Sequence, residues 1–174
     1  HLILKCHSIE YKHFLAQRSG LKLGIRPLAV SGITFYHSKG QKVFLLARRS
    51  VEVTQFPGML ELIPSGSIDV LDRTSVSTQI DFKGELIREL AEEIGVTKDQ
   101  TISSKEFCLL RDEENVFDIG VEIEIIQGAS IKVNLEEYSE LKEMNFNSLD
   151  GELEKSKTLK TSKTLFKAWC KYHE

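Results

Sequence analysis

Several residue types that commit a chain to a specialised class are scarce here. Cysteine occurs three times, at Cys6, Cys108 and Cys170, widely spaced and odd in number. That excludes a closed disulfide framework and a paired-thiolate zinc site, and it fits reduced thiols in a cytoplasmic protein. The histidines (His1, His7, His13, His37 and His173) have no metal-ligand spacing, which removes imidazole-based metal chemistry. No apolar run comes near the roughly 20 residues that cross a bilayer, so no membrane partner is expected. Excess positive charge is missing as well: 26 acidic residues face 23 basic ones, for a net charge of −3. A nucleic-acid surface held by bulk charge is therefore not expected. No signal-peptide pattern opens the chain, and it begins at His1 rather than Met, so the expectation is a cytoplasmic protein, with a homodimer as the candidate assembly, whose first residues are missing.

What remains is an ordinary globular composition, 41% apolar and 28% charged over 174 residues, enough for one domain with a sizeable core. "LILKC" (2–6) reads as a short strand and "SIEYKHFLAQRSG" (8–20) as a helix stopped by Gly20. "IRPLAVSGITFY" and "KVFLLARR" read as strands joined by a turn at "HSKGQ", and Met59–Ile63 as a further short strand. A Ser/Thr/Asp-rich loop follows, then a helix over "GELIRELAEEIGV" ended by Gly95. "EFCLLR", "VFDIGVEIEII" and "SELKEMNF" supply three more strands. The segment "KSKTLKTSKTLFKAWCKYH" carries Leu159, Leu165, Phe166, Trp169 and Cys170 at helical spacing, as a closing packing helix would. Strands, helix, strands, helix imply an α/β fold with a mixed sheet between helices.

The acidic helix carries the chemistry. Leu86, Ile87, Leu90, Ala91 and Ile94 form one apolar face, while Glu85, Glu89, Glu92 and Glu93 share an arc of about 100° on the other side. Arg88 borders that arc within reach of Glu85 and Glu92. Like charges one turn apart each cost roughly 0.2–0.5 kcal/mol, and the last two also face the negative end of the helix dipole. A solvated face would intersperse lysines. Concentrated carboxylates on a rigid helix instead suit a hard divalent cation, which keeps other positions for water and substrate phosphates.

The stretch "RELAEEIGV" resembles the core of the Nudix hydrolase signature: Arg88, Glu89, Leu90, Glu92, Glu93, Gly95 and Val96 all match at the family spacing. Gly66 in "PSGSIDVLD" corresponds to the leading glycine of that signature, and Asp72 stands where its first glutamate would, with an insertion of about eight residues within 73–82. The resemblance covers roughly residue 25 to the C-terminus and implies a Nudix-type α-β-α sandwich at 25–174, with residues 1–24 as an N-terminal extension packed on it.

The resemblance implies a metal-dependent pyrophosphohydrolase acting on a nucleoside diphosphate linked to another moiety. Glu89, Glu92, Glu93 and the Gly66 carbonyl would hold Mg²⁺ or Mn²⁺, with Arg88 orienting the glutamates. Glu89 is one candidate general base, and Glu136, Glu137 and Glu140 in "NLEEYSE" are others; Glu140, where the next strand begins, is favoured over Glu137. Arg48 and Arg49, at the end of "VFLLARR", are candidate substrate-binding residues. "PSGSID" is similar to the start of the box in enzymes acting on ADP-ribose and nucleotide sugars, which favours such substrates over nucleoside triphosphates. A Nudix-fold binding or regulatory module without catalysis is the alternative, and the intact glutamate set argues against it. An isopentenyl diphosphate isomerase would need a catalytic cysteine and a histidine-rich metal site, which the scattered histidines do not supply.

Overall fold

Two long strands set the frame. In the structure, a computed structural model that describes residues 4–68, 80–113 and 115–174, β1 (Leu28–Ser38) and β2 (Gln41–Arg49) form an antiparallel hairpin. Its turn places Lys39 and Gly40 at φ 51 and 77. Two successive left-handed residues give the twist that a two-residue hairpin needs. The two strands pair only near this turn, over Phe35–Ser38 and Gln41–Phe44. Beyond it they part.

The gap is filled by β3 (Leu60–Leu62) and β4 (Ser65–Ser67). β3 pairs with β2, while β4 pairs with β1, aligning Gly66 with Val30 and Ser65 with Ser31. The corner between them contains a cis peptide bond at Ile63–Pro64 and is anchored to β1. Gly32 N–H donates to the Pro64 carbonyl (2.7 Å), and the Thr34 hydroxyl donates to the Ile63 carbonyl (2.8 Å). A Cβ at Gly32 would lie 2.5 Å from Pro64 Cδ, so glycine is required for the corner to seat.

β6 (Phe117–Ile125) runs parallel to β1, β5 (Thr101–Arg111) is antiparallel to β6, and β7 (Tyr138–Asn145) covers the other side of β2. The sheet is mixed, with a distinct core on each face. α2 (Phe82–Ile94) packs Leu86, Leu90 and Ile94 against Val30, Ala47, Val121 and Ile123. α3 (Phe146–Lys155) and α4 (Lys160–Tyr172) cover the opposite face, where Ile33, Phe44 and Leu46 meet Leu149, Leu165 and Trp169. Helices on both faces of a mixed sheet are the α/β architecture expected from the order of elements.

Four local expectations differ. Residues 4–6 are irregular rather than a strand, and the extension's only regular element among the described residues is α1 (Tyr11–Arg18). α1 has no buried residue, and is tied down by Gln17, whose side-chain amide bonds both the carbonyl and the N–H of Ile25 (2.8 and 2.7 Å). β5 begins at Thr101, five residues earlier than the apolar run, because "TISSK" belongs to an edge strand exposed to water. α3 replaces the end of the expected last strand and the linker after it. Its stripe is only Leu149 and Leu153, too thin to read by period, and Asn145 caps it by accepting from Ser148 N–H (2.9 Å). The closing helix consequently starts at Lys160, later than "KSKTLK" suggested.

Trp169 anchors the second core. It meets Phe44 edge-on at 5.3 Å, stacks on Phe166 at 6.0 Å, and donates its Nε1–H to Glu122 (2.9 Å). Trp169→Ala should cost about 3–5 kcal/mol in urea denaturation, with no change in cation affinity of the folded fraction.

Candidate active site

α2 is held at both ends. The Asp81 carboxylate accepts from Gly84 N–H (2.9 Å), and Gly95, at φ 72, closes the last turn by donating its N–H to the Ala91 carbonyl. The arc opposite the apolar face was read as a platform for a hard divalent cation. It is walled in over part of its width: Glu85 is 4% exposed and Glu93 1%, while Glu92 stays exposed. On one side β4 passes so close that a Cβ at Gly66 would lie 2.4 Å from Glu89 Cδ. There Ser65 N–H donates to Glu93 Oε1 (2.9 Å). On another side the segment before β7 is pinned to the end of α2, with Asn134 N–H donating to the Glu93 carbonyl and Lys132 N–H to that of Ile94, both at 2.8 Å. Glu137 hangs from this segment and accepts from Asn134 Nδ2 (3.1 Å).

Arg88 ties the acids together. Its guanidinium reaches Glu85 (2.5 Å), Glu89 (2.7 Å) and Glu92 (2.6 Å), a three-way set of charge-assisted bonds that fixes carboxylates which would otherwise repel. One arginine does not neutralise them all. Burial pushes Glu89 up to about 7; Arg88 opposes the shift, and the charges of Glu85, Glu92 and Glu137 add to it. Burial also raises Glu93 well above the usual carboxylate range against the bond from Ser65, and Glu61, Glu89 and Glu137 push it further. Glu93 Oε2 is buried and has no hydrogen-bond partner among the described residues.

Behind Glu93 lies a second buried group. Glu61, on β3, pairs with Arg49 (2.6 Å), and the Tyr138 hydroxyl next to them is buried without a hydrogen-bond partner among the described residues. Burial and then the charges of Glu93 and Glu61 raise the Tyr138 pKa far above its usual value. Neither Glu61 nor Tyr138 was singled out from the sequence. The available signal was a glutamate inside the apolar run "MLELI", at a position that a buried strand fills with an apolar residue unless the charge has a partner.

The structure therefore gathers Gly66, Arg88, Glu89 and Glu93 at one place, with Glu92 attached through Arg88. Arg49 stands behind Glu93, committed to Glu61 and to the Gln55 carbonyl. Arg48 and Glu140 lie apart from the cluster: they pair across β2 and β7 at 3.1 Å, and Arg48 also donates to the Gly58 carbonyl. Of the candidate loop carboxylates, Glu137 is the one whose charge is felt at both Glu89 and Glu93. Asp72 and residues 73–79 of the insertion lie outside the described residues.

Among the described residues, no group of three or more His, Cys, Asp or Glu side chains already stands in a geometry that could hold a metal ion. Mg²⁺ does not ask for such a group, since it is held by one or two carboxylates with water and substrate phosphates completing its shell. The donor set fits such an ion: hard oxygens only, a buried carboxylate oxygen without a partner, and a glycine that brings backbone against Glu89. Gly66→Ala should displace the Glu89 side chain. Calorimetric titration with Mn²⁺ should then show affinity falling about tenfold or more, at a stability cost of about 1–3 kcal/mol.

Comparison with known proteins bears on this geometry. No family model matches the chain, and no curated protein matches it. Solved structures do. The Nudix domain of Shewanella oneidensis NrtR, solved with ADP-ribose, is 17% identical at a TM-score of 0.61, covering 95% of this chain and 100% of that one. A MutT protein from Methanosarcina mazei is 20% identical at a TM-score of 0.61, over 85% and 95% of the two chains. An Ap4A hydrolase from C. elegans in a binary complex is 15% identical at 0.57, over 84% and 97%. Identities this low speak for the fold alone, and the fold is unambiguous: the chain has the Nudix fold.

Proposed function

We propose that the protein is a divalent-cation-dependent pyrophosphohydrolase that cleaves a nucleoside diphosphate linked to a second moiety. The observation that carries this reading is Glu93, a fully buried carboxylate with one oxygen on the Ser65 N–H and the other unpaired, inside a cluster of acids held by one arginine. A structural acidic cluster would pair its buried oxygens, because a buried polar group left without a partner costs about 1–3 kcal/mol. A site that meets a cation and phosphates only in the complex leaves them open.

Glu89, Glu92, Glu93 and the Gly66 carbonyl would hold Mg²⁺ or Mn²⁺. Such a cation, when bound, neutralises the phosphate oxygens and polarises the P–O bond under attack. The chain's own residues do the rest. Arg88 fixes the rotamers of Glu85, Glu89 and Glu92, and the Ser65 N–H fixes Glu93. Glu137 accepts the proton of the attacking water, a role for which its proximity to Glu89 and Glu93 favours it over the Arg48-paired Glu140. The bridging P–O–P bond breaks, and a nucleoside monophosphate leaves with the phosphorylated second moiety. Likeness to a domain solved with ADP-ribose supports ADP-ribose or a nucleotide sugar as the substrate class.

Stability and activity should separate at Glu93. In EDTA, Glu93→Gln removes a carboxylate that burial disfavours and retains the acceptor for Ser65, so its stability should equal or exceed that of the parent, by up to about 1 kcal/mol. With Mg²⁺, release of nucleoside monophosphate should fall by about 10²-fold or more. Undiminished hydrolysis of ADP-ribose by the parent in excess EDTA, or by Glu93→Gln with Mg²⁺, would sink the reading.

A further inference from the structure

Asp118 has no part in the proposed hydrolysis, yet it repeats the anomaly of Glu93 on the other face of the sheet. It lies on β6 beside Ala29 of β1, whose neighbour on the far side is Ser67 of β4. Its side chain is on the face of Gly120 and Glu122, opposite Ile119 and Val121, which face α2. The residue is 9% exposed, and its Oδ1 has no hydrogen-bond partner among the described residues. Burial pushes its pKa up to about 6 against hydrogen bonding from Ser31. An ionised carboxylate only accepts hydrogen bonds.

Two adjoining clefts give this oxygen a purpose. The larger, about 2020 Å³, lies between the N-terminal arm, the start of β1 and the start of α4. The smaller, about 160 Å³, is lined by Ser65, which bonds Glu93, and by Glu61, whose charge Glu93 feels. Asp118 and Phe56 line both. Phe56 is 45% exposed and held at φ 52, a left-handed conformation that a non-glycine residue adopts at a cost. An exposed ring held in this way offers a stacking face for a base. A ligand that spans the two clefts meets these two side chains, together with Gln55, Leu159 and Thr161, which also line both.

We propose that Asp118 is a specificity-determining residue that accepts a hydrogen bond from the amino group of a purine base, with the ring against Phe56. This rests on the pyrophosphohydrolase reading for the identity of the ligand. The room in the larger cleft suits a bicyclic base, and the acceptor-only carboxylate selects an amino edge over a bare or carbonyl one.

The test uses pairs of nucleotides that differ by one amino group: AMP against purine riboside monophosphate, and GMP against IMP, titrated calorimetrically into cation-free protein. At least one pair should be discriminated about tenfold in favour of the amino form. Asp118→Asn should abolish or invert that preference, and its melting temperature without ligand should be unchanged or higher. Asp118→Ser serves if the amide does not fold. Equal affinities within both pairs, no binding of any of the four, or a preference that survives in the variants would overturn the proposal. So would a loss of melting temperature with the preference intact, which marks a structural aspartate. Hydrolysis of ADP-ribose with Mg²⁺ is assayed in parallel on the same preparations. Discrimination without hydrolysis would sink the hydrolase reading and leave Asp118 its role, whereas hydrolysis without discrimination would do the reverse.

Discussion

The site depends on the corner at Ile63–Pro64, wedged where β1 and β2 part. Hydrogen bonds from Gly32 and Thr34 seat this corner, and the short β4 is thereby carried onto β1 in line with Ser31 and Val30. From there the Ser65 N–H meets Glu93 and the backbone of Gly66 meets Glu89. The acidic helix could pack on the sheet without β4. Its carboxylates would then face water, their repulsion screened and their charges unremarkable. With β4 in place Glu93 is buried and Glu89 partly so, and burial is the largest cause of the raised pKa at both.

Much of this was legible in the sequence, for identifiable reasons. The apolar face of α2 and its stop at Gly95 follow from period and left-handed geometry, and both hold. Arg88 was expected to reach Glu85 and Glu92 from helical spacing alone, and it does. Spacing along one helix fixes such contacts whatever surrounds the helix. What faces the helix is a different matter. That the acidic arc would be enclosed depends on β4 and the segment before β7, brought there by long-range pairing to which no local pattern refers. Glu140 and Arg48 illustrate the same limit: each is a plausible functional residue by sequence, and the register of β2 against β7 places them opposite one another as an exposed pair.

The residues that sequence reasoning passed over share one trait. Glu61, Asp118 and Tyr138 are polar or ionisable groups in strands that otherwise read as apolar or alternating. A strand pattern invites attention to its hydrophobic positions, and an acid among them looks like the solvent phase of the alternation. In β6 that reading is nearly right: Glu122 and Glu124 share the face of Asp118 and lie nearer the surface, where Glu122 meets Trp169 and His173. Only depth separates Asp118 from them, and depth is a property of the assembled sheet.

Asp118 and Glu93 lie on opposite faces of the sheet, yet the gap between β1 and β2 gives them a common neighbourhood. Ser65 touches Glu93 through its backbone and lines the smaller cleft, whose wall also includes Asp118. Each carboxylate keeps an oxygen without a partner among the described residues, a cost that the two hydrophobic cores must offset. Two such costs beside one break in a sheet are hard to attribute to folding, because an amide at either position would have the same shape without the buried charge. The proposed site accounts for both, since a cation would meet one oxygen and a base the other. On that proposal the parting of β1 and β2 would join two faces of the sheet into one site.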